Sequence, residues 1–139
     1  MDVIVLIGRI VFCLIFFASA AAHLTQRNQM TNYARSMGLP NADILVPFTG
    51  VQMLVGALMV VLGIWADLGL LILIAFLVPT AVLMHPFWKM EDTQERAIQQ
   101  AAFMKNISMS GAAFALFGLI GFAGSDLGLT ITESLFSFS

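Results

Sequence analysis

The sequence has little charge and a single cysteine, and each shortage excludes a class of protein. Charged residues make up 10% of the chain, whereas a soluble domain carries about 25%, so this chain lacks the polar residues needed to cover a water-facing surface. Cys13 stands alone, which excludes an internal disulfide and any paired-cysteine redox or zinc motif. The net charge of −2, with no basic cluster, argues against nucleic acid as a partner.

Hydrophobic residues are abundant instead, at 60% of the chain with a mean hydropathy of +0.95. A helix needs about 20 residues to cross the ~30 Å hydrocarbon layer of a bilayer, and four apolar runs reach or approach that length. We therefore predict an all-α integral membrane protein, a four-helix transmembrane bundle that forms one domain over residues 1–139. The predicted spans are about residues 3–22, 44–65, 68–85 and 103–123.

The polar connection between the first two spans, residues 23–43, carries a narrow apolar stripe. Met30, Tyr33 and Met37 recur at helical spacing, and Gly38 follows as a typical helix stop. This pattern favours a short helix lying in the membrane interface. An irregular polar loop is the alternative.

All the basic residues except Arg9 lie on one side of the predicted bundle. They are Arg27, Arg35, Lys89, Arg96 and Lys105, whereas the loops on the other side carry acidic residues and no basic ones. The positive-inside rule then places the connections 23–43 and 86–102 in the cytoplasm and both termini outside.

Arg9 needs an explanation because it lies ~10 Å below the start of the first span at about 1.5 Å per residue. A guanidinium at that depth costs roughly 2.5 kcal/mol or more. One explanation is that its side chain snorkels to the outer surface. The other is a polar pocket in which Arg9 reaches toward Gln52 of the second span, and such a pocket would suit a lipid headgroup or a quinone carbonyl. Helix–helix packing is the simpler explanation of the small and polar residues that share one face of the first, second and fourth spans.

The two histidines end the first and third spans, at roughly matching depths. Two facing imidazoles could ligate haem b, but Pro86 follows His85 directly, and interfacial histidines without a ligand are the simpler explanation for both His85 and His23. We predict no metal site and no cofactor held by this chain alone, with a bound quinone as an option.

We expect the polar edge of any site at the connection that follows the third span, which runs from His85 to Lys105 and Asn106. As a hypothesis, the binding residues are Arg9, Thr49, Gln52, His85, Lys105 and Asn106. No carboxylate pair, nucleophile–base set or metal cluster lies within a span of the sequence, so we do not expect catalysis by this chain alone.

Several short motifs, in this order and spacing, resemble the DoxX family of small four-helix membrane proteins. They are Gly38-Leu39-Pro40, Pro47-Phe48-Thr49-Gly50, Gly56, Gly63, His85-Pro86-Phe87-Trp88, Lys105-Asn106 and Gly111. The resemblance extends from Arg9 to about Gly118 and implies a four-span bundle in a bacterial cytoplasmic membrane. Met53 stands where the family often has an acidic residue, and Ala112 replaces a second glycine. The first departure weakens any inference of proton handling by the second span.

The resemblance also implies a role, since the family includes a subunit of thiosulfate:quinone oxidoreductase and members associated with membrane redox complexes that handle oxidative stress. We therefore expect an accessory subunit of a quinone-linked redox complex, associated with a membrane protein partner or with copies of itself. Two alternatives stay open. One is a small transporter or lipid-binding bundle, and the other is a structural partner that assembles another membrane protein.

Overall fold

The computed structural model describes residues 2–138, apart from the side chain of Ser125, and this part of the chain is helical without strands. The α-helices are α1 (Asp2–Thr25), α2 (Arg27–Ser36), α3 (Ala42–Leu62), α4 (Ala66–Met84) and α5 (Thr93–Ala123), with short 3₁₀ turns at Phe87–Lys89 and Gly124–Asp126. All but α2 are long and apolar enough to cross a membrane. The prediction of an all-α, four-span bundle with one additional short helix is confirmed.

Local sequence explains where the helices begin and end. Gly63 adopts the left-handed conformation (φ +67°) at the end of α3, and its N–H donates to the carbonyl of Met59. Asp92 precedes α5, and its carboxylate accepts a hydrogen bond from the N–H of Glu95 at 2.8 Å, which satisfies one of the free amides of the first turn. These helix ends leave short connections between α3 and α4 and between α4 and α5, so the helices of each pair run antiparallel.

Pro47 explains how α2 is held. A proline has no N–H, so the carbonyl of Asp43 one turn earlier receives no hydrogen bond from it. The guanidinium of Arg27 donates to that carbonyl at 2.9 Å, and Arg35 forms an ion pair with the Asp43 carboxylate. Two arginines of α2 thereby attach it to the start of α3.

The long helices pack in the order α1, α3, α4, α5, and α2 lies against α3 and α1. The crossing of α3 and α4 depends on two glycines. A Cβ added to Gly69 would lie 2.9 Å from the carbonyl oxygen of Gly56, so a larger residue would push the two backbones apart. Small residues at a helix interface are typical of packing in lipid, where close approach supplies the attraction.

Both polar connections lie at one end of the bundle, which we call the α2 end. The opposite end holds Asp2, the α3–α4 turn and the end of α5, and residues 127–138 fold across it. We call residues 127–138 the C-terminal tail. The docking of this tail was not predicted from the sequence.

Backbone hydrogen bonds hold the C-terminal tail in place. The N–H groups of Ile131 and Thr132 donate to the carbonyl of Gly63 at 3.1 and 3.0 Å. The N–H of Phe136 donates to the carboxylate of Asp67, which is fully buried, at 2.7 Å. These bonds connect the tail to the turn between α3 and α4.

Arg9 lies beneath the C-terminal tail and is fully buried by protein. Its Nη2 donates to the carbonyl of Leu129 at 2.7 Å, while Nε and Nη1 have no hydrogen-bond partner within residues 2–138. Arg9 therefore does not snorkel to the surface, because the tail covers it.

Candidate functional site

A cavity of about 270 Å³ lies at the α2 end of the bundle. Its walls come from all the α-helices and are mainly apolar, with Phe16 and Met53 among the buried side chains. The polar groups that line it are His23, Tyr33, Thr49, His85, Lys105 and Asn106, together with Ser19 and Thr80. Small-molecule sites measure roughly 300–1,000 Å³, so the volume suits a compact headgroup with any long tail left in the membrane.

His23, in the last turn of α1, is oriented by α3. Its Nδ1 lies 3.1 Å from the carbonyl oxygen of Val46 and 3.0 Å from the hydroxyl oxygen of Thr49. A backbone carbonyl can only accept a hydrogen bond, so Nδ1 carries the proton and Nε2 of the neutral ring is an acceptor. The ring also packs edge-on against Phe76 of α4, at a centroid distance of 6.2 Å.

His85, directly after α4, is oriented by α5 in the same way. Its Nδ1 donates to Oε1 of Gln99 at 2.8 Å, and Nε2 of Gln99 lies 3.4 Å from the hydroxyl of Tyr33 on α2. Since the amide oxygen is only an acceptor, Nε2 of the neutral His85 ring is again the acceptor nitrogen. Neither Nε2 has a hydrogen-bond partner among the residues that the structure describes.

Asn106 of α5 is the buried polar side chain of the cavity wall. It is only 5% exposed, and its side-chain amide makes no hydrogen bond to any other described residue, although its backbone carbonyl accepts one from Ser110. The amide atoms are not among the buried, unpartnered side-chain atoms of residues 2–138, so they reach the open space of the cavity. A ligand that offers both donors and acceptors would satisfy the amide.

The structure brings four of the six predicted binding residues to this cavity, namely Thr49, His85, Lys105 and Asn106. The other two lie elsewhere. Arg9 is bound to the C-terminal tail at the opposite end, and Nε2 of Gln52 donates to the carbonyl of Ile72 on α4 at 3.0 Å. The two side chains therefore bond to different segments, and the structure does not show Arg9 reaching toward Gln52.

The sequence did not indicate Tyr33, which lines the cavity, or Gln99, which contacts His85 and Tyr33 beside it, as part of a site. Tyr33 was assigned to the apolar stripe of a helix on the membrane surface, but α2 docks on the bundle and carries its hydroxyl to the cavity. Gln99 is one turn of α5 above the predicted span. The available signal was the helical spacing of Tyr33 with Met30. It indicated that this face of the helix packs against an apolar surface, but it did not indicate which one.

The histidines are spaced along the cavity. His23 contacts Phe76, and His85 follows Phe76 by nine residues, which is roughly 13 Å along the helix axis at about 1.5 Å per residue. No group of three or more His, Cys, Asp or Glu side chains close enough to hold a metal ion occurs in the part of the chain that the structure describes.

Comparison with known proteins gives one finding. No curated protein and no solved structure matches this chain significantly. The model of one protein family, DoxX, matches residues 4–86, which is more than half of the chain and includes α1 to α4 with His23, Thr49 and His85. The expected resemblance is thereby confirmed, and this four-span membrane protein belongs to the DoxX family.

Proposed function

We propose that this chain is an accessory subunit of a quinone-linked membrane redox complex, and that its cavity at the α2 end holds the headgroup of the quinone. A quinone consists of a compact ring with two oxygens and an apolar tail. The cavity has apolar walls, polar groups at separate positions, and a place between membrane-spanning helices. The chemistry of electron transfer would belong to a partner protein.

The observation that carries this proposal is the unpartnered amide of Asn106. Asn106 is 5% exposed as a residue, and its amide reaches a cavity whose wall also presents Tyr33 and Lys105 as donors. A ring oxygen that accepts hydrogen bonds would pair with the amide N–H, as it would with the ammonium group of Lys105. A purely apolar occupant, such as an acyl chain, would leave the amide unsatisfied.

Binding can be measured with the whole chain in lipid nanodiscs, titrated with decylubiquinone, with empty nanodiscs as the correction for partition into lipid. We expect saturable binding, and we expect Asn106→Ala to weaken it about tenfold, the effect of one hydrogen bond of roughly 1.4 kcal/mol. Asn32→Ala, on the exposed face of α2 and outside the cavity, is the matched control. Equal affinities for the wild type and Asn106→Ala would remove the basis of the proposal.

The accessory role is tested separately, by mild-detergent purification from the native membrane followed by absorption spectra and mass spectrometry. A flavoprotein or cytochrome that co-purifies, and that loses quinone reductase or quinol oxidase activity when this chain is deleted, is the expected result. Uptake of a solute by the chain alone in proteoliposomes would favour the transporter alternative instead. Loss of a partner on deletion without any change in redox activity would favour an assembly role.

We further propose that the protein resides in a bacterial cytoplasmic membrane with the α2 end in the cytoplasm. The support is the distribution of charge, because Arg27, Arg35, Lys89 and Arg96 lie at the α2 end, and cytoplasmic loops are enriched in such residues. Cysteine introduced at Gln29 should stay unlabelled by an impermeant maleimide in intact cells, and cysteine introduced at Glu133 should react. The reverse pattern would invert the topology.

A further inference from the structure

The two histidines of the cavity present the same unused atom, an acceptor nitrogen. Nδ1 of His23 donates to the Val46 carbonyl, and Nδ1 of His85 donates to the Gln99 amide oxygen. Both rings line the cavity. In each neutral ring, Nε2 carries a lone pair that can accept a hydrogen bond. The two nitrogens therefore select a ligand that carries hydroxyl or N–H groups.

We infer that the cavity binds the reduced form of the quinone, the hydroquinone, more tightly than the oxidised form. This inference rests on the proposed quinone site. The ring oxygens of a quinone only accept hydrogen bonds, so an imidazole Nε2 facing one of them would place two acceptors together. The hydroxyl groups of a hydroquinone donate to Nε2 and still accept from the protein.

The other polar groups of the cavity do not make this distinction. Asn106 carries both a donor and an acceptor, so it can pair with either redox form, and the ammonium group of Lys105 donates to an oxygen in both. The preference depends on His23 and His85, which belong to different helices and are held by separate partners, Val46 of α3 and Gln99 of α5. Each histidine can therefore be tested alone.

The test is to measure the affinities of decylubiquinone and decylubiquinol in nanodiscs, the latter under anaerobic conditions. We expect the wild type to bind the hydroquinone at least tenfold more tightly, since one additional hydrogen bond is worth about that factor. His23→Phe and His85→Phe keep an aromatic ring but remove the acceptor. Each should lower the preference for the hydroquinone about tenfold, because the hydroquinone loses a hydrogen bond that the oxidised form never makes. Asn32→Ala is the matched control and should keep the wild-type preference.

A redox titration of the bound quinone gives an independent measurement. A tenfold preference for the reduced form raises the midpoint potential of this two-electron couple by about 30 mV relative to the quinone in empty nanodiscs. Equal binding of both forms, or tighter binding of the oxidised form, would overturn the preference and leave the quinone site in place. Binding of neither form would overturn both. If one phenylalanine variant fails to fold, the wild-type preference and the other variant still decide the outcome.

Discussion

Gly63 offers the sharpest test of how the C-terminal tail contributes to the fold. Its φ of +67° lies in the left-handed region, where a residue with a side chain is disfavoured by about 1–2 kcal/mol. A Cβ at this position would also lie 2.6 Å from the Cα of Thr130 in the tail. Because that neighbour is backbone, the tail itself must move to make room for an alanine.

The displacement would break identifiable bonds. The Gly63 carbonyl accepts from the N–H groups of Ile131 and Thr132, and the N–H of Trp65 donates to the hydroxyl of Thr132 at 2.7 Å. At about 0.5–1.5 kcal/mol for each bond, losing two of the three costs about 2 kcal/mol. We therefore expect Gly63→Ala to destabilise the protein by about 3–4 kcal/mol, adding the conformational cost of about 1–2 kcal/mol.

Gly38→Ala separates the two contributions. Gly38 also has a positive φ, at +84°, but a Cβ there meets nothing within 4 Å. This variant should show only the conformational cost, so its melting temperature in detergent should exceed that of Gly63→Ala by about 6 °C, the shift that corresponds to about 2 kcal/mol. The tail of Gly63→Ala should also be cut faster in limited proteolysis. Equal melting temperatures and equal cleavage rates would refute the docked tail.

Two further predictions concern the same end of the bundle. Asp67→Ala removes the acceptor of the Phe136 N–H (2.7 Å) and of the Leu68 N–H (2.9 Å), so it should lower the free energy of unfolding by about 2–3 kcal/mol. The exposed Asp126, changed to alanine, should shift it by less than about 0.5 kcal/mol, and matching denaturation curves for these two variants would contradict the role of Asp67. In α5, a Cβ added at Gly118 meets nothing within 4 Å, so Gly118→Ala should raise the free energy of unfolding through helix propensity, by up to about 1 kcal/mol. Gly121→Ala would overlap the ring of Phe138 and should bring no such gain, so equal stabilisation of both variants would count against the contact.

The spans and the helix ends could be predicted because they depend on local properties. Twenty apolar residues in lipid must form a helix, since the hydrocarbon offers no partner for free backbone groups. The stop at Gly38 likewise follows from residues that are neighbours in sequence. The family followed from short motifs in order, and the match over residues 4–86 confirms it.

Only part of the cavity lining could be predicted from the sequence. Asn106, Lys105, Thr49 and His85 were chosen as polar residues near the end of a span, which requires no knowledge of how helices face one another. The surroundings of Arg9 could not be predicted, because helical spacing shows which residues share a face and does not show what covers that face. The tail that buries Arg9 begins more than a hundred residues later and binds through backbone groups.

The sequence by itself determined that this chain lies in a membrane, crosses it with four helices and collects its basic residues, except Arg9, at one end, because the cost of placing charge in hydrocarbon depends on composition and order alone. The tertiary structure decided which polar groups meet. It tied the guanidinium of Arg9 to the tail, and it oriented His23 and His85 toward a shared cavity. The physical reason is that hydrogen bonds between distant segments depend on angles and on distances of about 3 Å, which only the packed helices set.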